Sequence, residues 1–369
     1  MINIIGTILG TSGYDIHTRN LARALGKLTD VRLTMQAGPG WETQVDDKEL
    51  DMIKKPPVDD EINLIITNPM FWRLNTQSKR NFVFLVWEGS KIPKCYLEEC
   101  LNPEIEYIFV PSEHTKQAVI NTWDENYEIW INEKDEILEQ SNYNKLKDKI
   151  KIISHGVDTS LFYPKDKPKK CIFVANKGYR NLEDRGGIQY LLRAYFEEFE
   201  QKDNVELLLK INPAYGIPDL NKLIEQTAPR KDNLPLVNID LQNIPYNKLV
   251  NLYNKGTVFV SPTRAEAYNL PCIEAMACRL PVITTSFGGQ TDYCSDETGW
   301  IIGGELTQVE HEVMYEEVKW LNPDIKQLRN ALRDAYMKPE KVLEKGDQAL
   351  EIARKNTWDA TAKKIVDLI

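Results

Sequence analysis

The chain alternates short apolar, β-branched runs with stretches of helical spacing, and it does so twice. In the first half "INIIGTIL", "VRLTMQ", "INLIITN", "NFVFLVWE", "YIFVPS" and "IKIISHGVD" each read as a buried strand, and helical patterns such as "IHTRNLARALGKL" lie between most of them. Continuous apolar runs of this length belong to parallel strands covered by helices on both faces. "YPKDKPKK" (163–170) then breaks the pattern: it is charged, carries two prolines and lacks core positions, as a linker does. The alternation restarts with "CIFVAN", "VELLLKIN", "LVNIDLQ", "TVFVSP" and "PVITT", with helices near 187–200, 219–228 and 246–255. An α/β fold of two doubly wound, Rossmann-like domains is expected, divided into 1–163 and 164–355. The tail "NTWDATAKKIVDLI" (356–369) reads as a last amphipathic helix. Ligands bind beyond the carboxyl ends of such sheets. Two sheets can turn those ends to one central cleft, a geometry that suits an enzyme joining two substrates away from water.

Length and charge narrow the function classes. The 369 residues suffice for two domains of ordinary size. A net charge of −9 and a pI near 5.3 argue against nucleic acid as the partner, because phosphate backbones are bound by basic surfaces. No stretch approaches the roughly 18 apolar residues of a membrane span. "MINIIGTILG" lacks a basic region and a cleavage site, so it reads as a first strand rather than a signal peptide. The cysteines (95, 100, 171, 272, 278, 294) form no CxxC and read as reduced, packed thiols of a cytoplasmic protein. Four scattered histidines have no metal-ligand spacing. His155 reads as a turn residue near the hinge. Residues 121–149 are a polar insertion, either a solvated excursion or an acceptor or partner surface. The lysine-rich "NKLKDKIK" (144–151) offers a weak peripheral contact with anionic lipid at the inner membrane face, against the overall acidity.

The stretch "SPTRAEAYNLPCIEAMACRLPVITT" (261–285) concentrates the polar signals. "TVFVS" is a strand, "PTRAEAYN" a polar loop, and Pro271 suits a first helical position, where its missing N–H costs nothing. "CIEAMAC" is small and apolar, so its helix can lie close to a sheet. Pro281 ends it and "PVITT" is the next strand. Glu266 therefore sits in a loop at a sheet's carboxyl end, and Glu274 in the first turns of the following helix.

This stretch, continued through "SFGGQTDY", closely resembles the E-x7-E signature of retaining glycosyltransferases of the GT-B fold, family 4. Further pieces resemble the family in the same order: the glycine-rich "GTSGYDIHTRNLARAL", "YIFVPSEHTKQAV", "IISHGVDTSLFYP", "VELLLKINP" with its strand-end lysine, and "NTWDATAKKIVDLI", which in the family crosses back to the first domain. Together they cover nearly the whole chain. The chain departs from the family at Arg279, where glycine is usual, and at Glu88 in "LVWEGS", where a histidine is common. The family's basic pair falls in "NKGYRNLEDRGG", with Arg185 at the second position and Lys177 or Arg180 at the first.

The resemblance implies an enzyme of the hexosyltransferase type. It would move a sugar from a nucleotide diphosphate donor, held by the second domain, to a glycan, lipid or small-molecule hydroxyl held by the first. The leaving diphosphate gains charge as the glycosidic bond breaks, and preorganised cations and N–H groups lower that barrier. No Asp-x-Asp occurs, so no metal and no cofactor are expected. Arg185 and Lys210 would supply positive charge instead. The helix start near Leu270 would supply its backbone amides, those of Asn269 and Leu270, with the positive end of its dipole. Ala267 and Tyr268 would line the donor. Glu266 would accept from the sugar hydroxyls and Glu274 from the ribose hydroxyls, since both oxygens of a carboxylate accept. Ser12 and Gly13, with Gly10, form the first strand-to-helix turn and would approach the diphosphate or the acceptor. Glu88 would serve as a carboxylate at the first sheet's carboxyl end, and Asn243 and Ile244 would line the base pocket. Two rival readings are a GT-B epimerase of the nucleotide sugar itself and a non-catalytic two-domain solute-binding protein.

Overall fold

Two six-stranded parallel sheets carry the chain, each the centre of its own compact unit. A computed structural model describes residues 1–36, 45–131, 136–181, 183–230, 232–310, 313–315 and 317–369. Unit one comprises residues 1–156, 308–319 and 356–369, and unit two residues 157–307 and 320–355.

The first sheet follows from the runs at the chain's start. Its strands are β1 (Ile2–Gly6), β2 (Val31–Met35), β3 (Ile62–Ile66), β4 (Arg80–Phe84), β5 (Ile105–Val110) and β6 (Ile150–Ile152), in the order β2-β1-β3-β4-β5-β6. Between them run α1 (Gly13–Leu25), α2 (Asp47–Lys54), α3 (Lys94–Cys100), α4 (Glu113–Ile131) and α5 (Glu136–Lys149). The 121–149 insertion is thus helical where described; residues 132–135 and the side chains of 125–142 lie outside the described residues.

The second sheet has β7 (Cys171–Lys177), β8 (Val205–Ile211), β9 (Leu236–Asp240), β10 (Val258–Ser261), β11 (Val282–Thr285) and β12 (Gly299–Ile302), in the order β12-β11-β10-β7-β8-β9. Its helices are α6 (Ile188–Glu198), α7 (Leu220–Thr227), α8 (Leu249–Tyr253) and α9 (Leu270–Ala277). A two-stranded ribbon, β13 (Gly304–Gln308) with β14 (Lys319–Pro323), then precedes α10 (Ile325–Met337) and α11 (Pro339–Lys355). Phe173, Leu207, Leu209, Val258 and Val260 of the sheet are buried with Leu192, Tyr195 and Phe196 of α6. The last helix, α12 (Trp358–Val366), belongs to unit one, where Thr361 donates to the Ser154 carbonyl at 2.8 Å.

The division falls at Gly156/Val157 rather than at 163/164. Phe162 explains the difference: its ring packs 5.4 Å from that of Tyr246 and 5.9 Å from that of Tyr253, both in unit two. The stretch read as a linker is also pinned to unit two. The Lys165 backbone N–H and the Lys167 amine donate to Asn254 Oδ1 at 2.8 and 3.0 Å. Residues 308–319 join unit one because Tyr315 stacks on Trp87 at 5.0 Å and the Lys319 N–H donates to Ser90 Oγ at 2.8 Å. Arg279 has φ 63°, the left-handed region that explains the family's glycine. Here its guanidinium grips Asp347 twice, at 2.6 and 2.8 Å.

His155, expected as a turn residue, lies in the core of unit one. Its ring is 4.1 Å from that of His17, and both rings stack on Trp358 of α12 at 5.6 Å. Burial pushes the His155 pKa down to about 3 and lowers that of His17, which the neighbouring His155 depresses further. Both histidines are neutral when folded and charge below about 6.5 when unfolded. The unfolded state therefore binds more protons from about pH 6.5 down to about pH 3, and stability falls with acid across that window. We expect His17→Phe, which stays uncharged, to flatten the slope of unfolding free energy against pH between 6 and 4. Urea unfolding at each pH measures it, and an unchanged slope would count against this account.

Candidate active site

The site of unit two forms where its sheet reverses direction. The chain runs from β7 outward to β8 and β9, then returns to place β10 on the other side of β7. The carboxyl ends of β7 and β10 thus flank a topological switch point, the place where open α/β sheets bind ligands. Lys177 is the last residue of β7, and the loop after β10 carries Glu266.

These two residues meet. The Lys177 amine lies 2.8 Å from Glu266 Oε1, and Arg185 Nη1 lies 3.1 Å from Oε2. Arg185 also donates to the Ala265 carbonyl at 3.0 Å, which fixes its approach. Burial acts to raise the Glu266 pKa, but Lys177 and Arg185 outweigh it and hold the carboxyl at about 2. Two cations and one carboxylate leave a net positive charge at the sheet's carboxyl end.

The loop around Glu266 is held from several sides. The Gly289 N–H donates to the Glu266 carbonyl at 2.7 Å, and Gly288 has φ 114° with Glu266 O only 2.8 Å from where a Cβ would stand. A side chain there would displace the loop, so glycine is required. The Tyr293 hydroxyl donates to the carbonyls of Tyr268 and Asn269 at 2.7 and 2.9 Å. Asn269 precedes α9 with φ 69°, a conformation asparagine tolerates. Its amide donates to Ser261 Oγ at 2.9 Å, and its Oδ1 faces the Lys177 amine at 3.4 Å. Ala267, Tyr268 and Leu270 are buried, so any ligand would meet the backbone of this turn rather than those side chains.

Glu274 occupies a different environment. It is 2% exposed, and its oxygens accept from Tyr246 at 2.9 Å and Tyr253 at 2.7 Å. Burial pushes its pKa up to about 7 against the lowering effect of those two hydrogen bonds. The two glutamates therefore differ in charge behaviour although they are eight positions apart in the chain.

Lys210 is not brought to this ion-pair set. The β7–β8 register pairs Asn176 with Lys210 and Lys177 with Ile211, so Lys210 shares a face with Asn176, opposite to that of Lys177. The residue is 3% exposed, and its amine donates to the Ile211 carbonyl at 2.8 Å. Lys177 stands beside Arg185 instead. Of the two candidates for the first basic position, Lys177 reaches Glu266, while Arg180 is exposed and its backbone N–H donates to Asp184 at 3.1 Å. Asn243 and Ile244 lie after the edge strand β9, two strands from β7.

The remaining candidates are in unit one. Ser12 is the N-cap of α1 in a capping box with Asp15, and Gly13 opens the helix with nothing within 4 Å of a would-be Cβ. Glu88 follows β4 and accepts from the Tyr315 hydroxyl at 2.6 Å, while its carbonyl meets His114 Nε2 at 2.8 Å. Among the described residues no three His, Cys, Asp or Glu side chains gather to hold a metal ion, and no helix is long and apolar enough to cross a membrane.

Several residues escaped the sequence reading. Asp15 and Arg19 organise the glycine-rich turn: Asp15 accepts from the Gly10 N–H at 2.9 Å, and Arg19 donates to the Ile8 and Gly10 carbonyls at 2.6 and 2.7 Å. "SGYD" carries the capping-box signal for Asp15. Tyr246 and Tyr253, seven residues apart in "YNKLVNLY", have the spacing of one helix face.

Residues 168–315 match the family model described as "Glycosyl transferases group 1". The chain is 25% identical over 236 residues to a probable sucrose-phosphate synthase of Thermosipho melanesiensis, covering 62% of this chain and 48% of that protein. It thus spans about half the length of that curated relative. In structure it is similar to a glycosyltransferase from Rickettsia africae, with a TM-score of 0.68, 14% identity and coverage of 100% and 97% of the two chains. It is also similar to the sucrose-phosphate synthase of Thermosynechococcus elongatus, with a TM-score of 0.64, 18% identity and coverage of 100% and 97%. The fold is that of GT-B glycosyltransferases, two parallel-sheet Rossmann-like units, and residues 168–315 carry the match to the group 1 glycosyltransferase model.

Proposed function

We propose that the protein is a retaining, family 4 glycosyltransferase that moves a sugar from a nucleotide diphosphate donor to an acceptor hydroxyl without a bound metal. The observation that carries this reading is the Lys177–Glu266–Arg185 ion-pair set at the switch point, beside the start of α9. Lys177 and Arg185 would face the diphosphate, together with the backbone amides of Asn269 and Leu270. Glu266 would accept from the sugar hydroxyls and Glu274 from the ribose. In the reaction the bond from the sugar's anomeric carbon to the phosphate oxygen breaks, and its electron pair goes to the diphosphate. The acceptor hydroxyl attacks from the face the phosphate leaves, and a diphosphate oxygen takes its proton. The cations hold the charge that develops. The acceptor would be chosen in unit one, near Glu88 and the Ser12–Gly13 turn.

Incubation with UDP-, GDP- and ADP-sugars tests the reading. The expected result is slow release of nucleoside diphosphate and free sugar, with transfer when a suitable hydroxyl is supplied and retention of anomeric configuration by NMR. An epimerised nucleotide sugar would favour the epimerase reading, and binding without turnover the non-catalytic one. Because protein cations take the metal's place, turnover is expected to be unchanged in EDTA. Loss of activity with EDTA that manganese restores would refute the metal-free mechanism.

A further inference from the structure

Glu274 is a carboxylate taken out of water with two phenols around it. The Tyr246 hydroxyl donates to Oε1 at 2.9 Å and the Tyr253 hydroxyl to Oε2 at 2.7 Å. The cations of the site, Lys177 and Arg185, are committed to Glu266. The other titratable neighbour is Cys278 at the end of α9, a thiol whose pKa burial pushes up to about 12. A buried carboxylate is costly unless hydrogen bonds replace its water. The phenols do this while leaving a second lone pair on each oxygen for a ligand.

The phenols themselves are held. Tyr253 accepts from the Asn176 amide at 3.1 Å, which turns its own proton toward Glu274. Its ring stands edge-on to Phe259 at 5.7 Å. Phe162 lies against both tyrosine rings, edge-on to Tyr246 and tilted to Tyr253.

We propose that Tyr246 and Tyr253 are positioning residues that present Glu274 to the ribose of a nucleoside diphosphate as an ionised acceptor, with Phe162 keeping both phenols in place. The proposal rests on the reading of this site given above. An ionised carboxylate accepts at both oxygens, so it can take both hydrogens of a ribose diol. Once protonated it donates from one oxygen, and that oxygen accepts only weakly from the phenol and the ribose. Burial favours the protonated form and the two phenols favour the ionised one, with the balance near neutral pH. Removing one phenol hydroxyl tips that balance toward the neutral acid.

The test uses Tyr246→Phe and Tyr253→Phe, which keep the rings and their packing. Affinity for the nucleoside diphosphate that binds wild type best is measured from pH 6 to 9. Each variant is expected to lose about tenfold or more at pH 7 and to recover within roughly threefold of wild type at pH 9. The midpoint of the pH profile should rise by about one to two units, the value of one hydrogen bond to a charged group. A uniform loss at every pH indicates simple packing and overturns the proposal, as does unchanged affinity. Infrared titration of the unliganded protein, with Glu274→Gln identifying the band, should show the same upward shift in both variants; an unmoved band overturns the proposal. Failure of the functional reading is visible separately, as wild-type protein that binds no nucleoside diphosphate although the infrared shift is present.

Discussion

Glu266→Ala is expected to lower turnover by roughly 10²- to 10³-fold, the range for losing one preorganised polar group from a reacting centre. Nucleoside diphosphate affinity should be unchanged or tighter. The ion pairs give the reason for the split. Glu266 is held ionised between Lys177 at 2.8 Å and Arg185 at 3.1 Å, so on the proposed reading its removal would free two cations for the diphosphate while deleting the acceptor for the sugar hydroxyls. A loss confined to turnover marks an interaction made only with the reacting sugar. The measurement is kcat with the donor that wild type uses, beside calorimetric affinity for its nucleoside diphosphate. Wild-type turnover in the mutant would remove Glu266 from the mechanism. Equal losses in turnover and nucleotide affinity would move it to the diphosphate.

The second large effect concerns the cations together. Lys177→Met and Arg185→Gln are each expected to slow the reaction by roughly 10- to 100-fold. That follows from about 1.5–3 kcal/mol for one charge-assisted hydrogen bond and about 1.4 kcal/mol per decade of rate. The double mutant should fall short of the product of the two losses, because both residues touch one carboxylate and, on the proposed reading, would face one diphosphate. Losing both leaves Glu266 half-buried without a counter-ion, so thermal melts must accompany the kinetics. Arg185→Lys keeps a charge there if the double mutant fails to fold. Lys210→Ala, on the opposite face of the sheet, is the comparison and should cost less. Multiplicative losses for Lys177 and Arg185, or a Lys210 variant as damaged as either, would overturn the placement of the diphosphate.

The fold was legible because its signal is local and repeated. The runs ending in Gly6, Ile66, Val110, Lys177, Ile211 and Ser261 are mostly apolar on both faces, with single polar positions such as Asn3, Asn63 and Glu206, and their alternation with helical spacing fits a parallel sheet covered by helices. Residues 299–355, which hold β12, the β13–β14 ribbon, α10 and α11, prompted no expectation. β12 and β14 are short and β13 is largely exposed, so burial leaves little pattern in the strands, whereas α10 buries Leu328, Ala331, Leu332 and Ala335 at helical spacing, a signal the sequence reading passed over.

By itself the sequence determined the α/β class, the strand–loop–helix setting of Glu266 and Glu274, and the presence of basic residues near the end of β7. These depend on period, turn chemistry and proline placement, all written within a few residues. Tertiary structure decided which partners those residues take. Lys177 and Lys210 both lie near strand ends, but the β7–β8 register puts them on opposite faces, and a shift of one residue in β8 would bring Lys210 to the face of Lys177. Glu274 is enclosed by tyrosines 21 and 28 positions away, and Phe162 joins unit two because those same rings receive it. Such pairings are set by packing between distant segments, where the energy depends on burial and geometry that no local pattern encodes.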